Sequence, residues 1–153
     1  MISILFVCHG NICRSPMAEF IMKELVRERK MEKDFYIESA ATSTEEIGNG
    51  VYPPVKRILK QRGIDCSGKH ARQMVRGDYD KFDYIVCMDG KNLRNMGYIV
   101  ADTQNKYKRL LDYTENPHDV ADPWYSGDFL TTEKDIESGC KALFDHIINN
   151  KKS

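Results

Sequence analysis

The sequence carries no excess charge: 23 Lys and Arg balance 23 Asp and Glu, which leaves no global field to draw in nucleic acid or an anionic membrane. Any anion site must therefore be local. No run of residues reaches the ~18 apolar positions of a membrane helix. The apolar stretch at residues 1–7 lacks a basic start and a small-residue cleavage site, so it reads as a strand and not as a secretory signal. Cysteine is sparse and odd in number, with five at positions 8, 13, 66, 87 and 140. They form no C-x2-C pair of the zinc type and lack the density of a disulfide scaffold, so a reducing cytoplasm is the expected setting. No internal repeat, low-complexity tract or linker breaks the chain. Its 153 residues predict one domain, 1–153, built around one core.

What is present is ordinary for a globular chain, with 41% hydrophobic and 30% charged residues. Residues 2–7 form a near-continuous apolar run ending at Cys8, which is the mark of a strand buried on both faces of a parallel sheet. Residues 82–88 look similar, 35–37 are a shorter candidate and 107–111 a weaker fourth. Between them lie helices. Pro16 opens one over about 16–30, Tyr52-Pro53-Pro54 opens another that stops at Gly63, and residues 91–96 form a short one ended by Gly97. Ile136, Cys140, Leu143, Phe144 and Ile147 draw one apolar stripe along a final helix. Strands alternating with helices predict an α/β domain with a parallel sheet, helices on both faces and ligands at the strands' carboxyl ends. The longest irregular stretch is expected at 114–128.

Cys8 stands at such a strand end, in Cys8-His9-Gly10-Asn11-Ile12-Cys13-Arg14-Ser15-Pro16. A Cys-x5-Arg spacing alone says little, since Cys66 and Arg72 repeat it with no strand before and no helix start after. Around Cys8 the setting is different. A buried strand leads into a turn where Gly10 and Asn11 tolerate positive φ, and Ser15-Pro16 opens a helix. Successive backbone N–H groups of such a loop form a nest for an oxyanion, and Arg14 offers a planar fork to two phosphate oxygens. Thiols at helix N-termini or beside arginine ionise more readily than free ones, so Cys8 is expected to act as a nucleophile at neutral pH. Ser15 reads either as a donor to the sulfur or as the helix N-cap.

These residues resemble, position by position, the signature of the low-molecular-weight protein-tyrosine phosphatases. The likeness continues in Ser39-Ala40, Val86-Cys87-Met88-Asp89, Asn92-Leu93, Asp122-Pro123 and the closing helix. It implies a four-stranded parallel sheet of phosphotyrosine protein phosphatase I-like, Rossmann-like or flavodoxin-like layering. It implies a phosphocysteine intermediate, phosphotyrosine-containing proteins as substrates, and neither cofactor nor metal. His9, Gly10, Asn11, Ile12 and Cys13 then surround the phosphate. Asn11, Ser39 and His70 fall where the family ties its loop by hydrogen bonds, with Glu19 near His70; read alone, the three polar residues are equally well surface turns.

Asp122 falls on the family's general acid, although Asp-Pro by itself usually marks a turn. Trp124 and Tyr125 either wall the pocket, deep enough for phosphotyrosine, or pack their own loop. Opposite, the chain reads Ser39-Ala40-Ala41-Thr42-Ser43-Thr44-Glu45-Glu46, so Glu45 stands near the place of a wall aromatic and would repel acidic peptides. Cys13 is either a passive thiol or a partner that traps oxidised Cys8 as a disulfide. Protein-arginine phosphatases share this loop but carry Thr where this chain has Ile12, and the bulkier apolar branch favours tyrosine. Arsenate reductases need two further neighbouring cysteines, which Cys87 lacks. A redox sensor or a non-catalytic phosphotyrosine binder would have little use for Cys8, Arg14 and Asp122 together.

Overall fold

The computed structural model describes residues 1–152. Its elements run β1 (Ile2–Cys8), α1 (Arg14–Glu28), β2 (Phe35–Ala41), α2 (Pro53–Gln61), α3 (Asp78–Lys81), β3 (Tyr84–Cys87), α4 (Gly90–Ile99), β4 (Tyr107–Arg109), α5 (Pro123–Ser126) and α6 (Phe129–Lys152). The strands form one all-parallel sheet in the order β2-β1-β3-β4. The α/β class with a four-stranded parallel sheet is thus the one expected.

With a partner on each side and helices over both faces, β1 is one of two inner strands, and its Ile4, Leu5, Phe6 and Val7 are all fully buried. Ile4 and Phe6 pack with α1, α2 and the stripe of α6; Leu5 and Val7 point the other way, to Tyr79 of α3 and Met96 of α4. The predicted stripe of α6 is entirely buried. Among the described residues no helix is long and apolar enough to cross a membrane.

Four local expectations need correction. β2 extends past residue 37 to Ala41, because every residue from Phe35 to Ala41 has a partner in β1 even where Glu38 and Ser39 interrupt the apolar pattern. β4 stops at Arg109, where Asp112 accepts the Arg109 N–H at 2.9 Å and turns 110–113 into a 3-10 turn. α4 runs through Gly97 to Ile99, since burying Met96 outweighs the ~1 kcal/mol that glycine costs a helix. The longest irregular stretch is 62–77, tied down by bridges Ala41–Gln73 and Gly50–His70, whereas 114–128 contains α5.

The sheet places three chain segments at one edge. β1 ends at Cys8 and β3 at Cys87, side by side, and Val120 N–H donates to the Met88 carbonyl at 2.9 Å, which draws the segment carrying Asp122 over both strand ends.

Candidate active site

Between β1 and α1 the chain reverses through Asn11, whose φ of 60° is left-handed and suits asparagine better than most residues. The turn aims donors at one atom. Cys8 Sγ receives the N–H of Asn11 at 3.3 Å and of Ser15 at 3.4 Å, and lies 3.0 Å from Ser15 Oγ. Ser15 lies inside α1 and its side chain faces the sulfur; α1 has no side-chain cap and no acidic residue in its first turn. With Ser15 N–H on the sulfur, Pro16 without one and Met17 N–H on the Cys13 carbonyl, the Arg14 N–H and the positive end of that helix are left for an anion.

Arg14 is 2% exposed, and its guanidinium is fixed from two sides. Nη1 donates to Asp89 Oδ2 at 2.7 Å and to the Val120 carbonyl at 2.8 Å, while Nη2 reaches Asp122 Oδ2 at 3.5 Å. Burial works against its charge, but the Cys8 sulfur and the Asp89 carboxylate outweigh burial and hold the group above its ordinary value. Asp89 is itself locked by a reciprocal capping box with Asn92 at the start of α4.

Asp122 has the extended backbone that a residue before proline adopts, and caps α5 by accepting the Trp124 N–H at 3.0 Å. One carboxylate thus both caps the turn and faces Arg14 with its other oxygen. The space above the sulfur is a cavity of about 120 Å³. Cys8, His9, Gly10, Ile12, Cys13 and Arg14 line its floor; Glu45 and Glu46 form one wall, and Asp122, Trp124 and Tyr125 the other.

His9 Nε2 and Glu45 Oε2 meet at 2.9 Å across the exposed rim. Trp124 leans on Tyr52, the residue just before α2, with ring centroids 4.9 Å apart, so the entry to α2 supports the aromatic wall; Tyr125 is almost wholly exposed. Burial pushes the Cys13 thiol up to about 12, aided by Cys8 and Asp122 and opposed by Arg14. Cys13 is thus a neutral neighbour of Cys8.

A layer of polar side chains lies beneath the loop. Asn11 is 1% exposed and does not open onto the pocket; its amide donates to Ser15 Oγ at 2.8 Å and Ser39 Oγ at 2.9 Å, and its Oδ1 accepts the Arg72 N–H at 3.2 Å. Only the backbone of Asn11 belongs to the nest; its side chain is a support. Ser39 donates to buried Glu19 at 2.5 Å.

His70 is not in this layer. Its exposed ring pairs with the Gly48 carbonyl at 3.1 Å, and Lys69 approaches Glu19 instead, at 3.3 Å. The Gly50–His70 bridge makes the backbone locally extended, so adjacent side chains point to opposite sides: Lys69 inward, His70 outward. Sequence reasoning also passed over Glu46 and Tyr52 as site residues. The one available signal for Glu46 was its position beside Glu45, and for Tyr52 the helix start at Pro53.

Residues 3–153 match the family model described as low molecular weight phosphotyrosine protein phosphatase. The chain is 40% identical over 155 residues to the low molecular weight protein-tyrosine-phosphatase YfkJ of Bacillus subtilis, with 99% of each chain covered. It is 41% identical over 156 residues to the low molecular weight phosphotyrosine protein phosphatase of Gallus gallus, with 94% of each covered. The crystal structure of the Bacillus subtilis protein aligns with a TM-score of 0.95 over 99% of this chain and 97% of that one. Sequence, fold and the strand-turn-helix around Cys8 agree, and the chain belongs to the low molecular weight phosphotyrosine protein phosphatase family.

Proposed function

We propose that this chain is a protein-tyrosine phosphatase that hydrolyses phosphotyrosine in proteins, and small aryl phosphates, through a phosphocysteine on Cys8. The observation that carries the reading is the convergence of two backbone N–H groups and the Ser15 hydroxyl on Cys8 Sγ, with the Arg14 guanidinium held beside it. Such a constellation serves a sulfur that must be anionic when it attacks and again when it leaves.

In the first step the Cys8 thiolate attacks phosphorus in line, an S–P bond forms and the P–O bond to the phenol breaks. Arg14 and the loop N–H groups bind the equatorial oxygens, and Asp122 gives its proton to the departing phenolate. In the second step water attacks the phosphocysteine, the carboxylate of Asp122 takes the proton, and inorganic phosphate and the thiolate are released. Trp124 and Tyr125 flank the substrate ring on one side and Glu45 on the other, with Ile12 in the floor favouring a flat phenol over a guanidinium. Five free, buried cysteines suit a reducing compartment, and we place the enzyme in the cytoplasm, acting as one catalytic domain over 1–153.

Hydrolysis of p-nitrophenyl phosphate tests the reading. Cys8→Ser is expected to abolish turnover, chelators to leave it unchanged, and Asp122→Ala to slow it most for esters with poor leaving groups. Full activity in Cys8→Ser would sink the assignment.

A further inference from the structure

The layer beneath the phosphate-binding loop ends in an amine that the reaction steps above do not use. Its proton order can be followed atom by atom. Asn11 Oδ1 accepts from the Arg72 backbone, which fixes the amide so that its two N–H bonds point to Ser15 Oγ and Ser39 Oγ. Each hydroxyl thus accepts one bond and has one proton to give. Ser39 gives its proton to Glu19 Oε1 at 2.5 Å. Ser15 has two acceptors in range, Cys8 Sγ at 3.0 Å and the Ala40 carbonyl at 3.5 Å, and the sulfur is the nearer.

This order holds while Glu19 Oε1 stays an ionised acceptor. Glu19 is 4% exposed, and a buried carboxylate persists only when paired. Lys23, from the open face of α1, holds Oε2 at 2.6 Å; Lys69, from the irregular stretch 62–77, holds Oε1 at 3.3 Å and donates to the Ser39 carbonyl at 2.9 Å. The Lys69 side chain is the more buried of the two, at 12% against 44% exposure. It alone touches both Glu19 and the strand that carries Ser39.

We propose that Lys69 is a positioning residue for the phosphatase reaction: by holding Glu19 and the Ser39 carbonyl, it keeps the network ordered so that the Ser15 hydroxyl is donated to Cys8. The inference rests on the phosphatase reading. A hydroxyl donated to the sulfur stabilises it chiefly as a leaving group, when water displaces it from phosphorus. Loss of Lys69 therefore slows breakdown of the phosphocysteine more than its formation.

The experiment is rapid-mixing kinetics with p-nitrophenyl phosphate, normalised to titrated active sites. Lys69→Met is expected to lower kcat roughly tenfold, the scale of one charge-assisted hydrogen bond, and to produce a near-stoichiometric burst of p-nitrophenol. Lys69→Arg restores most of the loss. Lys69→Gln, which removes the charge but keeps an amide donor on a side chain one bond shorter, gives the same burst and keeps the test open if Lys69→Met does not fold. Ser39→Ala should show the burst too, and combining it with Lys69→Met should add little, because both act along one path. Wild-type turnover in the Lys69 variants, slowing without a burst, or additive losses in the double variant would each overturn the inference. A wild-type protein inert toward p-nitrophenyl phosphate would instead overturn the phosphatase reading itself.

Discussion

Arg14 does two jobs that pull on different parts of its side chain. Its guanidinium is anchored on Asp89 and Val120, and still presents N–H bonds toward the pocket and Asp122. A lysine carries the same charge but has neither the planarity nor the number of donors to hold both ends. Arg14→Lys is expected to lower kcat/KM for p-nitrophenyl phosphate by about 10²-fold or more, the scale of losing an oxyanion donor, with an unchanged circular dichroism spectrum. Cys13 makes a second prediction at this scale. Its thiol, raised to about 12, is protonated throughout neutral pH, and only thiolates alkylate readily. Iodoacetamide at pH 7 should leave Cys13 unmodified in a peptide map, with labelling that climbs as pH rises. By the same sign, a Cys8–Cys13 disulfide should form faster after peroxide at alkaline than at neutral pH. Strong labelling of Cys13 at pH 7 would contradict its burial.

Among the elements, α6 packs against the turn after β4 more closely than its length suggests. A Cβ on Gly139 would lie 2.4 Å from Leu110 Cγ and 2.9 Å from its Cδ2, and Leu110 is wholly buried. Gly139→Ala should therefore destabilise by about 1–3 kcal/mol, although alanine is the better helix former, and thermal unfolding reads this directly. A rise in Tm would show that Leu110 can yield. The same residue marks where sequence reading stops. β1, α1 and α6 were legible because their signals are local: an apolar run, a proline at a helix start, a stripe of one period. The Cys8–Ser15 loop was legible for the same reason, since strand, turn and helix adjoin in the chain. Nothing local tells that Gly139 meets Leu110, that Lys69 turns inward in place of His70, or that Tyr52 props Trp124, because each depends on which distant segment arrives there.

Taken whole, the molecule buries several thiols and phenols in their protonated forms. Burial raises the Cys13 and Tyr113 values to about 12, and pushes Cys87, Tyr107 and Cys140 up as well. In the unfolded chain these thiols and phenols return to their ordinary values and release protons first as pH rises. The unfolded state then binds fewer protons than the native one, so stability falls with increasing pH. Thermal unfolding followed from pH 7 upward should show Tm flat near neutrality and declining above about pH 9, where free thiols titrate. A Tm that climbs over that range would be the contrary result.

The route of the chain through the sheet has a consequence for unfinished polypeptides. Cys8 and Arg14 are made early, but the groups that hold the guanidinium, Asp89 and the Val120 carbonyl, come much later, as does Asp122. A polypeptide halted before residue 120 has the Cys8 thiol but neither the complete guanidinium anchor nor Asp122. On the proposed mechanism, hydrolytic power therefore appears late in synthesis and all at once, and a ribosome stalled midway, or a protease that removes the C-terminal quarter, is expected to leave a fragment that is silent rather than indiscriminate.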